Sequence, residues 1–192
     1  YLSYKQKKNV FSASYSRRIN RPSMSNLNPF RWYENPYSYS TGNPLLTPSY
    51  INNYEISYTY NNKLSSSIYY VRLKNAFGQV STLDGLSQNS NYLNHYNNTF
   101  YGVNLSYTDT FFKFWEATTS FNASCQTSEV FNINAETSNG YSVNYSLNNT
   151  FSLNKNKTIA IFLNYDHNLP YRNVNSYFKN FFEMSSGIKI SL

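Results

Sequence analysis

Residues 141–153, YSVNYSLNNTFSL, alternate large apolar side chains with small polar ones along their whole length. Successive side chains of a β-strand point to opposite faces, so this pattern predicts a strand with one apolar face and one face of Ser, Asn and Thr. A sheet whose outer face meets water usually carries Lys and Glu there. Small neutral polar groups suit a wet, crowded interior instead.

Eight segments with this pattern, or with a run of similar apolar content, are predicted to be strands. They are residues 9–19, 51–60, 64–74, 98–108, 112–124, 141–153, 158–166 and 178–192. Strands of globular sandwiches usually have about 5–6 residues, whereas a tilted strand that crosses a bilayer needs about 9–11. Most of the eight belong to the longer class. Residues 64–74 are apolar but poorly phased, and their faces are left unassigned.

The predicted connections alternate strictly between short and long. The short ones are residues 61–63, a turn around Asp109 and Thr110, and residues 154–157; the long ones are residues 20–50, 75–97, 126–140 and 167–177. Barrels of the outer membrane have tight periplasmic turns at one end and long extracellular loops at the other. The pattern therefore predicts an all-β, antiparallel transmembrane β-barrel segment in the bacterial cell outer membrane.

Aromatic residues also cluster near the ends of the predicted strands, as two interfacial girdles require. Near the short turns stand Tyr58, Tyr60, Tyr107, Phe111, Trp115 and Phe151, and near the long loops stand Tyr141, Tyr165 and Phe178. With 21 Tyr and 14 Phe in 192 residues, this clustering is a weaker argument than the connection lengths.

The charge and the rare residue types argue against several classes of ligand and structure. The net charge is +7, but the cations are scattered and no nucleic-acid-binding motif is present, so we expect no nucleic acid partner. One cysteine, Cys125, excludes an internal disulfide, and with His95 and His167 as the only histidines we expect no metal site. No apolar run approaches the ~20 residues of a membrane helix.

Ordered pieces of the first third of the chain resemble a known family. The pieces are YSRRINRPS, LNPF and GNPLLTPSYINNYEISY within residues 15–60, followed by SSIYY. They resemble the C-terminal barrel region of TonB-dependent outer-membrane receptors of the Bacteroidetes type, in the outer membrane protein β-barrel family. The rest of the chain is similar only in its strand pattern.

The resemblance implies a large barrel closed by a plug domain, with uptake of a scarce solute energised through the TonB complex. Plugged transporters of this kind have 22 strands, so we expect residues 1–192 to form a partial barrel domain of about eight strands within a larger barrel. The plug and the TonB box are not visible in these residues, and YLSY at residues 1–4 predicts the end of a preceding strand. The alternatives are a self-contained small outer-membrane barrel and a structural or adhesive β protein without a transport role.

No catalytic constellation is visible, and we expect neither an enzyme nor a cofactor. The nine acidic residues are dispersed, with no spacing that would force two carboxylates together. Glycine-rich phosphate loops and the common hydrolase motifs do not occur.

The candidate binding residues are arginines and two glutamates. Arg17, Arg18, Arg21 and Arg31 lie at or near the predicted outer rim. Alternation places Arg17 and Arg18 on opposite faces, so one could contact lipopolysaccharide phosphates while the other faces the lumen, which is the barrel interior. The alternative is a structural role in salt bridges with Glu34 or Glu55.

Two carboxylates are predicted to line the interior. Glu55 and Glu116 fall on the polar face, where a charge avoids the cost of contacting lipid. They could line a solute path, contact the plug or simply form the inner wall. We expect solute contacts from the long loops, especially residues 20–50, while outer-membrane lipid surrounds the barrel.

Overall fold

The computed structural model describes residues 1–134, 136–173 and 176–190, and most of them are in β-strands. In chain order the elements are β1 (Leu2–Gln6), β2 (Asn9–Asn20), α1 (Met24–Leu27), β3 (Trp32–Asn35), β4 (Ser38–Thr41), β5 (Ser49–Tyr60), β6 (Leu64–Asp84), β7 (Ser87–Phe111), β8 (Trp115–Val130), β9 (Ser138–Ser152), β10 (Ile159–Asn168), β11 (Tyr171–Asn173), β12 (Ser176–Phe178) and β13 (Phe181–Ile190).

All thirteen strands belong to one sheet, and the predicted fold class is confirmed. Nine of them form a continuous path in the order β1, β2, β5, β6, β7, β8, β9, β10 and β13, in which every neighbouring pair is antiparallel. Each of the eight predicted strands corresponds to one strand of this path. The ninth is β1, which contains the predicted strand end at residues 1–4. In the part of the chain that the structure describes, no helix is long and apolar enough to cross a membrane.

The pairing register separates the sheet into two chemically distinct faces. One row across six neighbouring strands consists of Ala13, Ile56, Ile68, Val103, Ala123 and Val143. The next row, on the opposite face, consists of Ser12, Ser57, Ser67, Asn104, Asn122 and Asn144. We call these the apolar face and the polar face.

The apolar face is not covered by any other part of the described chain. Ile56 and Ile68 lie in its middle, yet their side chains are 67% and 65% exposed. Only Leu46, Ala76 and Ala160 are buried hydrophobic residues among those described. A sheet with so large an open apolar face needs an apolar surrounding medium.

The predicted long connection at residues 75–97 is wrong, because it is a strand hairpin. β6 and β7 continue beyond it to a two-residue turn at Gly85 and Leu86, with Asp84 paired to Ser87. Gly85 has φ 61°, and glycine at the first central position is typical of a type II′ hairpin turn. The Asp-Gly dipeptide was the sequence signal for this turn.

The predicted turn around Asp109 and Thr110 is also misplaced. Both residues remain in the ladder, paired to Ala117 and Glu116, and the turn lies at residues 112–114. A tertiary contact overrides the turn preference of aspartate here, because Lys63 Nζ donates a hydrogen bond of 2.6 Å to the Asp109 carboxylate. That hydrogen bond raises the pKa of Lys63.

The other two short turns are confirmed, and two long connections are shorter than predicted. Residues 61–63 form a turn, and β9 and β10 are joined by residues 153–158. β8 and β9 extend into the predicted loop 126–140 and leave residues 131–137 between them. The connection after β10 contains the small hairpin of β11 and β12.

The long connection from β2 to β5 is folded. The Ser23 hydroxyl accepts a hydrogen bond from the backbone of Asn26 and caps α1. The backbone amides of Gly42 and Asn43 then donate to the carbonyl oxygens of Asn28 and Asn26, at 2.8 and 2.7 Å. β4 adds to the sheet as a parallel neighbour of β7. We call residues 21–48 the outer loop.

Candidate functional site

The polar face is lined by small neutral groups that hydrogen-bond across the strands. The hydroxyl oxygens of Ser12 and Ser57 are 2.6 Å apart, and those of Thr108 and Thr118 are 3.0 Å apart. The register puts Glu55 on this face between Ser14 and Tyr69, and it puts Glu116 between Thr110 and Thr150. Glu55 is half-buried and Glu116 is exposed. The face is therefore hydrophilic, with few charges.

Aromatic rings cover glycines at two places on the polar face. A β-carbon on Gly102 would lie 2.6 Å from the Tyr69 hydroxyl, and one on Gly187 would lie 2.6 Å from the Phe162 ring. Both pairs are direct cross-strand partners. An aromatic ring laid over a glycine pins the register of curved sheets, which explains large rings on a face of otherwise small residues.

The apolar face has aromatic rows at both ends of its apolar band. Near the short turns, the rings of Phe111 and Trp115 are 4.8 Å apart and those of Trp115 and Phe151 are 5.9 Å apart, as the predicted inner girdle requires. A row near the outer end contains Tyr15, Tyr54, Tyr70, Tyr101 and Tyr141. The sequence prediction found only Tyr141 of this row. The others become a girdle only through the pairing register.

The four candidate arginines do not form one cluster. Arg17 lies on the apolar face and Arg18 on the polar face, since their partners in β5 are the adjacent residues Asn52 and Ile51. Arg31 lies in the outer loop with its guanidinium 4.8 Å from the centre of the Tyr39 ring. A hydrogen bond with Tyr33 raises the pKa of Arg31.

The predicted salt bridges of these arginines with Glu34 or Glu55 are not formed. Within residues 1–134, 136–173 and 176–190 the ion pairs are Lys63 with Asp109 and Arg72 with Glu129. Arg17 forms no salt bridge with Glu55 because the two residues lie on opposite faces of the sheet. The Arg17 guanidinium instead lies 4.8 Å over the Tyr50 ring.

The outer loop presents an exposed aromatic patch. Its members are Phe30, Trp32, Tyr33 and Tyr37, and we call them the outer aromatic patch. Trp32 and Tyr33 lie in β3, which pairs with β4, so the patch is carried on hairpin structure. Exposed aromatic rings of this kind offer flat surfaces for stacking with a ligand.

Asparagine side chains attach the outer loop to the hairpin of β6 and β7. The Asn94 amide nitrogen donates to the carbonyl oxygens of Thr47 and Asn75, at 3.0 and 2.8 Å. Its amide oxygen accepts from the Thr47 backbone at 3.0 Å. Asn43 donates to the Tyr92 carbonyl at 2.9 Å. The loop is held at several points along its second half.

Metal binding has no visible basis in the described residues, since no three His, Cys, Asp or Glu side chains are grouped there. Cys125 lies in β8 as a free, half-buried thiol.

Strands long enough to cross a bilayer, an open apolar face and a polar face of small residues together define a transmembrane β-sheet protein. The chain belongs to the outer membrane protein beta-barrel family, whose model matches residues 1–192. It is a protein of the bacterial outer membrane. No curated protein and no solved structure matches the sequence.

Proposed function

We propose that this chain contributes wall strands and extracellular loops to a TonB-dependent importer that takes up a scarce solute across the outer membrane. The observation that carries the proposal is the folded outer loop, fixed to the sheet at the end opposite the short turns. The sequence resembles such receptors within residues 15–60, and this range includes the outer loop. Import needs an outer surface that contacts the solute above a hydrophilic interior, and in this proposal the outer loop and the polar face supply them.

The polar face suits a solute path. Rows of Ser and Asn hydrogen-bond to one another and leave space above them, because their side chains are short. Glu55, which is half-buried, and Glu116, which is exposed, add two carboxylates on this face that could contact a plug domain or a passing solute. The interior would be too polar for lipid and too sparsely charged to bind a solute tightly.

The outer aromatic patch is the proposed first contact for the solute. Trp32 and Phe30 are 69% and 74% exposed although they are large and apolar. Arg31 lies between them in sequence and adds a cation held against Tyr39. We propose no enzymatic role, because the acidic residues are dispersed along the sequence and the common hydrolase motifs do not occur.

The proposal is tested by uptake in the native bacterium. Strains with and without the gene are given labelled iron chelates, cobalamin, glycans and peptides, with and without a protonophore. An energised importer predicts that uptake of one of these solutes is lost on deletion, restored by the gene, and stopped by the protonophore. Uptake that continues without the proton-motive force would indicate a passive barrel. No difference for any solute would favour a structural or adhesive protein.

The role of the outer aromatic patch needs its own variants. Trp32→Ala should raise the KM of uptake while the maximal rate and the amount of protein in the outer membrane stay the same. Met24→Ala is the matched control, since Met24 is an exposed apolar residue of the same loop outside the patch. Equal uptake kinetics of the two variants would show that the outer aromatic patch does not contact the solute.

A further inference from the structure

Three cations meet on the apolar face, where β2, β5 and β6 approach the outer loop. Arg17 and Arg72 flank Asn52 in one row, and Lys74 pairs with Tyr50 in the next. We call Arg17, Arg72 and Lys74 the basic rim cluster. They line a groove of about 430 Å³ together with Tyr50, Asn52, Tyr54 and Tyr70.

The position of the cluster along the strands places it at the membrane surface. Arg17 and Arg72 lie about nine residues beyond the short turns that follow β1 and β5, which is the length that crosses a bilayer. Tyr15, Tyr54 and Tyr70 form the row immediately below them. The order from the bilayer outward is therefore apolar band, tyrosines, cations. Because long loops mark the extracellular end, this is the outer leaflet.

The charges of the cluster are poorly neutralised by the protein. Arg17 has an aromatic partner, Tyr50, and forms no ion pair with a described residue. The acid nearest to Arg72 is Glu129, with 3.8 Å between Nη2 and the carboxylate. The Nε atom of Arg72 is shielded from solvent and has no hydrogen-bond partner among the described residues. A donor left unpaired in this way is costly unless a ligand accepts a hydrogen bond from it.

Two apolar grooves lie nearer the short turns than the cluster, one extending towards β1 and the other towards β9. One of about 400 Å³ is lined by residues that include Leu2, Ala13 and Ile56. Another of about 360 Å³ is lined by residues that include Ile68, Val103 and Val143. Both grooves follow the row of apolar residues that contains Ala13, Ile56 and Ile68. This row lies two residues closer to the short turns than the row of tyrosines. A ligand that fills them and also reaches the cations must have an anionic head and hydrocarbon chains.

We propose that the basic rim cluster binds a phosphate of the lipid anchor of lipopolysaccharide, whose acyl chains lie in the two grooves. Guanidinium groups suit phosphate because they offer parallel N–H donors, and an ammonium group adds a point charge. This lipid site faces away from the polar face and is independent of the solute that the protein imports. It makes the surrounding lipid a specific ligand of the wall.

The test uses the full-length protein, purified from its own outer membrane in detergent and titrated with lipopolysaccharide of the producing bacterium. The test variant is Arg17→Gln, Arg72→Gln and Lys74→Gln combined. The control combines Lys5→Gln, Lys7→Gln and Lys8→Gln, which removes the same charge from β1 and the turn between β1 and β2, at the opposite end of the sheet. We expect the affinity to fall about tenfold or more in the test variant and less than about twofold in the control.

A second ligand and a second variant keep the outcome decisive. Lipopolysaccharide with its anchor phosphates removed should bind the unchanged protein as weakly as intact lipid binds the triple variant. Arg17→Gln alone, which leaves β6 untouched, should lower the affinity about threefold. Equal affinity of the triple variant and the unchanged protein would overturn the proposal. Displacement of the lipid by an equal concentration of inorganic phosphate would also overturn it, in favour of a soluble anion.

Discussion

The hairpin of β6 and β7 contains two parts that share the same backbone geometry and meet different surroundings. In the spanning part, residues 64–73 pair with residues 98–107; in the distal part, residues 76–84 pair with residues 87–96. The register shifts between Leu73 and Phe77 separate them. The spanning part continues the sheet on both sides, whereas the distal part projects beyond it and pairs with β4 through β7.

The two parts differ in the medium that their faces meet. In the spanning part Ile68 and Tyr70 share the apolar face and Ser67 lies opposite, although Val71 and Leu73 also fall on the polar face. In the distal part Ser81 and Ser90 hydrogen-bond to each other, and the Leu83 side chain is 79% exposed. Lipid on one side of a sheet requires an apolar face there, whereas water on both sides requires none. The surroundings therefore set the apolar face of the spanning part, and strand geometry alone does not.

The strongest test of this comparison places a charge in each part. Ile68 and Leu83 are both open side chains, 65% and 79% exposed. Ile68→Arg should cost about 2–4 kcal/mol of unfolding free energy in lipid vesicles, and Leu83→Arg should cost close to none. Denaturant titrations of both variants measure the difference. Equal costs would mean that the two side chains meet the same medium.

The attachment of the outer loop can be broken at Gly42. A β-carbon there would lie 2.6 Å from the carbonyl oxygens of Asn26 and Asn28, which are backbone atoms and cannot move aside easily. Gly42→Ala should lower the stability of the outer loop by about 1–3 kcal/mol. Gly85→Ala is the control in the distal part, where the space is open and only the positive φ is unfavourable.

The loss of outer-loop stability is measured as the rate of limited proteolysis within this loop of the folded protein. Cleavage should be faster in Gly42→Ala and unchanged in Gly85→Ala. A loop that resists protease equally in both variants would show that the close approach at Gly42 is not needed for its attachment.

The asparagine contacts should matter less than Gly42. Asn94→Ala removes the hydrogen bonds between Asn94 and Thr47 of the outer loop and one to Asn75 of β6, for an expected cost of about 1–2 kcal/mol. Gln79→Ala removes the same chemical group from an exposed position of the distal part. Hydrogen exchange of the outer loop amides should increase in Asn94→Ala alone. Similar exchange in both variants would assign the attachment to the β4–β7 pairing.

The smallest expected effect concerns the spanning strands. Phe162 covers Gly187, and the three atoms nearest to a β-carbon at Gly187 belong to that ring. Gly187→Ala should destabilise the protein alone and do so less in a Phe162→Leu background, with a coupling energy of about 0.5–1 kcal/mol. A double-mutant cycle in unfolding free energy measures it. Additive effects would show that the ring moves away freely.

Sequence reasoning predicted the strands in contact with lipid well and the other segments poorly, for physical reasons. Lipid contact makes a strand such as β9 alternate, so its faces and approximate ends were visible. Residues 75–97 lack this constraint, and their turn was marked only by Asp84 and Gly85. One of the three residues of the basic rim cluster was visible in the sequence, because Arg17 was identified but Arg72 and Lys74 join it only through the pairing of β5 with β6.

The parallel pairing of β4 with β7 has a mechanical consequence. Residues 38–41 run alongside residues 88–91, so a force along the strands loads all the pairing bonds of this segment together instead of peeling them one by one. We therefore expect residues 38–41 and the hairpin of β6 and β7 to move together when the outer loop rearranges.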